Sequence, residues 1–146
     1  MYYKNMLNYN ACAIISKIRD DVNKLIITEL AKNNVTDVVP SHGDILCFLY
    51  SEEGSLSVNT LAQKVHRTQP TVTVLVNKLE KLGYVKRIKD DQDQRITMVH
   101  LTDKGWELQP IFNQVSEAVN QKVYGNLNEQ EQEHFEELLE RVYSGL

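Results

Sequence analysis

Apolar residues recur at intervals of three and four along most of the chain, a spacing typical of helices that bury one face. The first such stretch predicts a helix over residues 5–31. A second helix is predicted to begin at Pro40, since proline is tolerated in a first helical turn, and to be broken by Gly54. Both helices are expected to bury their apolar faces against a shared core.

Two further helices are predicted next, separated by a short turn at His66 and Arg67. Ser57 and Thr68 are good N-terminal caps for them, because a hydroxyl oxygen there can accept a backbone N–H. The later helix ends at Gly83. Its predicted buried stripe consists of Val72, Leu75, Val76, Leu79 and Leu82.

The pattern changes after this glycine. Residues 84–88 and 96–101 are β-prone, and a polar segment at 89–95 separates them. Two such runs around a polar turn predict a β-hairpin. The order helix, turn, helix, hairpin is that of a helix-turn-helix followed by a wing.

Two helices are predicted to follow the hairpin, over about residues 103–125 and 128–143. Pro110 should kink the first of them, because a proline interrupts the helical hydrogen-bond ladder. Asn128 and Glu131 have the spacing of a reciprocal capping box, which predicts the start of the second.

The net charge of −4 is unevenly distributed along the chain. Residues 60–100 carry eight basic and four acidic side chains, whereas residues 1–59 sum to −2 and residues 101–146 sum to −6. A basic middle between acidic ends is what a nucleic-acid-binding module on a soluble support would show.

The second helix of the helix-turn-helix has the outward face that a DNA major groove requires. Its predicted outward side chains are mostly short and polar or cationic: Gln69, Thr71, Thr73, Val74, Asn77, Lys78 and Lys81. Amides and hydroxyls can hydrogen-bond base edges, and lysines neutralise phosphates. We therefore predict double-stranded DNA as the partner, with Ser57, Arg67 and Lys89 also on the DNA-binding surface.

The motifs between about residues 56 and 105 resemble those of the MarR family of transcriptional regulators. They are Thr68–Arg87 with Leu61-Ala62 before it, the wing turn Asp90–Arg95, and Leu101–Gly105. The resemblance implies a repressor that binds a pseudo-palindromic site as a homodimer and is released by a small ligand or another signal. It also implies that Arg95 enters the minor groove and that Asp93 holds it. Val74 departs from the family, which often has arginine there.

The fold class implied by the resemblance is mainly α (α+β). Residues 36–102 would form the winged helix-turn-helix DNA-binding domain. Residues 1–35 and 103–146 would form a helical dimerisation region, whose apolar stripes interlock across a two-fold axis.

The resemblance also suggests where a signal could act. The family binds small aromatic or acidic effectors near the junction of the two regions, where His42, Phe48 and Trp106 could line a pocket. Cys12 matches the reactive cysteine of the peroxide-sensing branch. The activating tyrosines of that branch are replaced here by Ser16 and Ile26, which weighs against redox sensing.

Other classes of protein find little support in the sequence. No phosphate-binding loop, nucleophile elbow or catalytic carboxylate pair points to an enzyme. The four histidines lack metal-ligand spacing, so neither a metal nor another cofactor is expected. No membrane-length apolar stretch or signal-peptide pattern is present, and a cytoplasmic protein is expected. Two alternatives stay open: a redox-sensing regulator acting through Cys12, and a winged-helix interaction adaptor without DNA binding.

Overall fold

The computed structural model describes residues 8–146. Its helices are α1 (Ala11–Lys32), α2 (Pro40–Ser51), α3 (Val58–Lys64), α4 (Gln69–Lys81), α5 (Asp103–Glu107), α6 (Gln109–Tyr124) and α7 (Glu129–Ser144). Its strands are β1 (Ser55–Ser57), β2 (Val85–Lys89) and β3 (Thr97–Leu101). The predicted first helix begins later than expected, at Ala11, and residues 5–7 of that prediction lie outside the described range.

The predicted hairpin is present as β2 and β3, but a third strand joins it. The sheet has the order β1-β3-β2 with both pairings antiparallel. Leu56 of β1 and Arg87 of β2 lie opposite Val99 of the central strand. Strand β1 was not predicted, because three residues are too few to show an alternating pattern.

The main core lies beneath the helix-turn-helix and the hairpin. Leu30, Ile45, Leu46, Leu49, Leu61, Val72, Val76, Leu79, Val85 and Val99 are fully buried there. The predicted stripe of α4 is confirmed: three of its five residues are fully buried, and Leu75 and Leu82 pack partly buried against the same cluster. Burying one face of α4 in this way leaves its other face free.

The predicted helix over 103–125 is two helices rather than one kinked helix. Helix α5 ends at Glu107 and α6 begins at Gln109, with Leu108 between them. The ring of Pro110 would clash with the carbonyl group of Trp106 in a continuous helix, and it has no N–H to donate. The helix therefore restarts, and Pro110 takes a first-turn position in α6.

Two glycines allow close packing where the winged domain meets the helices that follow it. Gly54 has φ of +85°, and a Cβ added there would overlap the Trp106 ring. A Cβ at Gly105 would overlap the carbonyl oxygen of Tyr84. The Gly105 carbonyl accepts a 2.7 Å hydrogen bond from the Tyr50 hydroxyl. Through these contacts, the start of the C-terminal helices packs closely against the winged domain.

Helices α1 and α7 leave large apolar surfaces exposed. Leu30 is the one buried residue of α1, and α7 has none within the part of the chain described. The exposed apolar residues include Ile14, Ile15, Ile18, Leu138, Leu139 and Val142. The capping box at the start of α7 is confirmed, with Asn128 and Glu131 bonded reciprocally. Across residues 8–146, no helix combines the length and apolarity that crossing a membrane would need.

Candidate nucleic-acid interface

Capping fixes the starts of α3 and α4, the two helices of the helix-turn-helix. Ser57 Oγ accepts a hydrogen bond from Thr60 N at 3.1 Å, and Thr68 Oγ1 accepts one from Thr71 N at 3.4 Å. Both predicted caps are confirmed. His66 has φ of +56°, which turns the chain sharply between the helices. The first turn of α4 is thereby held at the protein surface.

The free face of α4 carries most of the residues predicted from the sequence. Gln69, Thr71 and Lys78 are exposed, Thr73 is partly buried, and Val74 is 67% exposed. A short apolar side chain at that place can contact a thymine methyl group.

Asn77 departs from the prediction that it points outward. Its Oδ1 is buried and finds no hydrogen-bond partner within residues 8–146. The residue as a whole is half-buried, as is Thr73 one turn before it. Its Oδ1 is therefore not open to a base edge in this structure, and a DNA contact by Asn77 stays a prediction.

The wing loop holds its arginine in a defined orientation. Arg95 Nε and Nη2 each donate to a carboxylate oxygen of Asp93 at 3.0 Å, as predicted for this pair. These bonds raise the pKa of Arg95 and hold the pKa of Asp93 below its ordinary value. The Arg95 side chain is nevertheless 89% exposed. The Asp90 carboxylate accepts the backbone N–H groups of Gln92 and Asp93, which shapes the turn around it.

A clasp that the sequence did not reveal joins α4 to the wing. Glu80 accepts hydrogen bonds from the backbone N of Arg87 at 3.0 Å and from its side-chain Nη2 at 3.1 Å. These bonds lower the pKa of Glu80. The Glu80 carboxylate thus links helix α4 to strand β2 through hydrogen bonds.

A cleft of about 380 Å³ lies between the first turns of α3 and α4 on one side and the wing on the other. Four of the predicted DNA-binding residues line it, namely Ser57, Gln69, Thr73 and Arg95. Asn59, Arg87, Ile96 and Thr97 also line it, and sequence reasoning missed them. None of the lining residues is acidic. We call this space the helix–wing cleft.

Arg67 and Lys89 were also predicted for this surface but do not line the cleft. Arg67 is partly buried in the turn after α3. Lys89 is exposed on β2, where its Nζ donates to Thr97 Oγ1 at 3.2 Å. Ser57 uses its hydroxyl in capping, donating to Thr60 Oγ1 at 2.9 Å. Ser57 therefore lines the cleft mainly because it caps helix α3.

The three residues predicted to line an effector pocket each have a different neighbour in the structure. His42 is buried, and its Nδ1 accepts the backbone N–H of Val39 at 3.4 Å. Phe48 lies under the Lys64 ammonium group, and Trp106 packs against Tyr50 with ring centroids 5.9 Å apart. The role of these three residues in binding an effector stays a prediction.

Two small cavities lie instead between α2 and α6, with volumes of about 240 and 220 Å³. Both are lined by Cys47, Phe112 and Ser116. Burial, and then the nearby Asp44, raise the pKa of the Cys47 thiol to about 11. This thiol is therefore protonated at neutral pH. Cys12, in contrast, is exposed in the first turn of α1.

Comparison with known proteins shows which regulators this chain resembles. A sequence profile of the MarR family matches residues 36–96. The HTH-type transcriptional regulator SarZ of Staphylococcus epidermidis is 31% identical over 77 residues, which cover 53% of this chain and 52% of that protein. The match thus spans about half the length of that relative. SarZ of Staphylococcus haemolyticus is 27% identical over 120 residues, covering 82% of this chain and 79% of its own.

Solved structures agree with the sequence matches. The Staphylococcus aureus MepR chain, in a crystal structure of its complex with DNA, has a TM-score of 0.82 and 26% identity, covering 97% of this chain and 100% of that one. The profile match over residues 36–96, the relatives and the shared winged helix-turn-helix architecture together make the chain similar to MarR-family transcriptional regulators.

Proposed function

We propose that this protein is a transcriptional repressor that binds a pseudo-palindromic DNA site as a homodimer. The observation that carries the proposal is the helix–wing cleft, where exposed Gln69 and Arg95 face a common space without an acidic lining residue. A major groove admits one helix, so α4 enters it while the wing reaches the neighbouring minor groove. Arg95 there meets the strong negative potential of a narrow groove.

The cations around the cleft supply the part of the affinity that does not depend on sequence. Lys78, Lys81, Lys86 and Lys89 are exposed on α4 and β2. Each contact with a phosphate releases condensed counterions, so affinity should fall steeply as salt rises. The acidic C-terminal helices stay away from the DNA, which reconciles a net charge of −4 with DNA binding.

The exposed apolar faces of α1 and α7 support the homodimer. Ile14, Ile15 and Ile18 are 44–49% exposed on the first half of α1. Leu138, Leu139 and Val142 are 40–58% exposed on α7. A second copy of the chain would cover both faces and set two α4 helices about 34–36 Å apart, one turn of DNA.

The cavities between α2 and α6 supply a place for an effector. Phe112 of α6 lines both, and Ile26 of α1 lines the larger. Their volumes lie below the roughly 300–1,000 Å³ typical of sites for drug-sized ligands, which suits a single-ring molecule. A ligand wedged there would change the packing of α6 on α2 and so the spacing of the two DNA-binding domains.

An anisotropy titration of the purified protein against duplexes from its own upstream region tests the proposal. Saturable binding that weakens with salt and prefers an inverted repeat is expected. Absence of any sequence preference would favour the adaptor alternative instead. Release of wild-type protein, but not of Cys12→Ser, by peroxide would establish the redox alternative.

A further inference from the structure

Gln69, the first residue of α4, does not extend freely from the helix. Its Nε2 donates a 2.9 Å hydrogen bond to Oδ1 of Asn59, which lies in the first turn of α3. Both side chains are exposed, and both line the helix–wing cleft. The two helices of the helix-turn-helix are therefore linked by a side-chain bond at the surface that would face DNA.

This bond decides which hydrogen-bonding groups Gln69 has left. A primary amide offers two N–H donors and one carbonyl acceptor. One donor is used by Asn59, while Oε1 has no partner among residues 8–146. The terminal torsion of a free glutamine has two roughly equivalent orientations. In the structure Nε2 faces Asn59 Oδ1, and in this orientation Gln69 presents one donor beside one acceptor.

Adenine is the base whose major-groove edge matches that pair. It offers the N7 acceptor beside the N6 amino donor, and a glutamine amide can bond both at once. Guanine presents two acceptors, N7 and O6, so Gln69 Oε1 would face another oxygen there. Thymine and cytosine each offer a single hydrogen-bonding group at this edge.

We propose that Asn59 is a positioning residue that orients the Gln69 amide to read an adenine in each half-site. The inference rests on the proposed DNA-binding function and adds one element of its sequence specificity. Asn59 acts through Gln69 and contributes little to the affinity itself.

Site selection from a random duplex library, followed by competition titrations, tests the assignment. The wild type should select an adenine at one position of each half-site. Gln69→Ala should lose this preference and keep the preferences at all other positions. The expected loss is roughly 5- to 150-fold per half-site, the range for one bidentate base contact. Gln63→Ala, an exposed glutamine on α3 that lies outside the cleft lining, is the matched control and should retain the preference.

Variants of Asn59 separate positioning from a structural role. Asn59→Ala frees the Gln69 amide to sample both orientations, so the adenine preference should fall about fourfold over two half-sites. Asn59→Asp keeps an acceptor for Gln69 Nε2. It should retain the preference even though its charge lowers affinity for every sequence. Thermal unfolding of each variant monitors the fold.

An operator with 7-deazaadenine at the selected position removes the N7 acceptor. The wild type should bind it more weakly than the natural operator, whereas Gln69→Ala should not distinguish the two. An unchanged preference in Asn59→Ala, or equal loss in Asn59→Asp and Asn59→Ala, would overturn the positioning role. Wild-type binding with no sequence preference at all would overturn the proposed function and this inference with it.

Discussion

Replacing Arg95 with alanine removes a highly exposed cation from the proposed interface. The guanidinium is 89% exposed and makes two 3.0 Å hydrogen bonds to Asp93. In the wild type this pair is close to neutral, and the substitution leaves an unpaired carboxylate at the tip of the wing. Affinity for DNA should therefore fall because a minor-groove contact is lost and because a negative charge is left behind.

The salt dependence gives the size of the charge effect. Each wing becomes more negative by one unit, and one unit of charge against phosphate changes the slope of log affinity on log salt by about 0.9. Two wings in a dimer give a change of about 1.8. The ratio of wild-type to variant affinity should therefore fall by about 12-fold as salt rises from 50 to 200 mM.

A double variant separates the effect of the added negative charge from the loss of the minor-groove contact. Arg95→Ala with Asp93→Asn restores the local charge of the wild-type pair, and asparagine keeps an oxygen to accept the backbone N–H at position 95, a bond of 3.0 Å in the wild type. Its salt slope should return close to that of the wild type while its affinity stays low. Anisotropy titrations at several salt concentrations measure both quantities, with sedimentation to verify the oligomeric state. Wild-type affinity and slope in Arg95→Ala would refute the role of the wing.

Three other substitutions test the fold, the clasp and the dimer. Gly105→Ala should lower the free energy of unfolding by about 1–3 kcal/mol in urea titrations, because its Cβ meets a backbone carbonyl, while Gly145→Ala should have little effect. Glu80→Gln should cost about 0.2–1 kcal/mol at pH 7. Because bonding lowers the pKa of Glu80, that difference should vanish as acid protonates the wild-type carboxylate; a difference that persists in acid would contradict the clasp. Ile18→Asp should yield monomers in sedimentation, whereas the exposed Ile27→Asp on another face of α1 should stay dimeric.

Local signals in the sequence predicted much of the fold. Side chains at Ser57, Thr68 and Asn128 bond to a backbone N–H three residues ahead, so a short stretch of sequence holds the whole interaction. The buried stripe of α4 follows from helical periodicity in the same way. The Asp93–Arg95 pair was also predictable, since the two residues are two positions apart in one turn and match a family motif.

Features that depend on packing between distant elements were not predictable. Strand β1 exists because β3 offers it a partner some 40 residues away, as in the pairing of Leu56 with Val99. The inward Oδ1 of Asn77 depends on what packs beside α4. The Asn59–Gln69 bond needs the relative placement of α3 and α4, which no periodicity encodes.

The predicted effector pocket shows the same limit. His42, Phe48 and Trp106 were grouped because the family places a ligand near the junction of its two regions. Which side chains face a cavity depends on how the helices pack, and Cys47 and Phe112 line the two cavities beside α2.

Chemical footprinting with dimethyl sulfate tests most directly whether α4 and the wing occupy two grooves of one duplex. The reagent methylates guanine N7 in the major groove and adenine N3 in the minor groove. We predict that wild-type protein protects both kinds of atom in each half-site and that Arg95→Ala loses the minor-groove protection alone. Protection confined to one groove, or the same pattern for both proteins, would contradict the account.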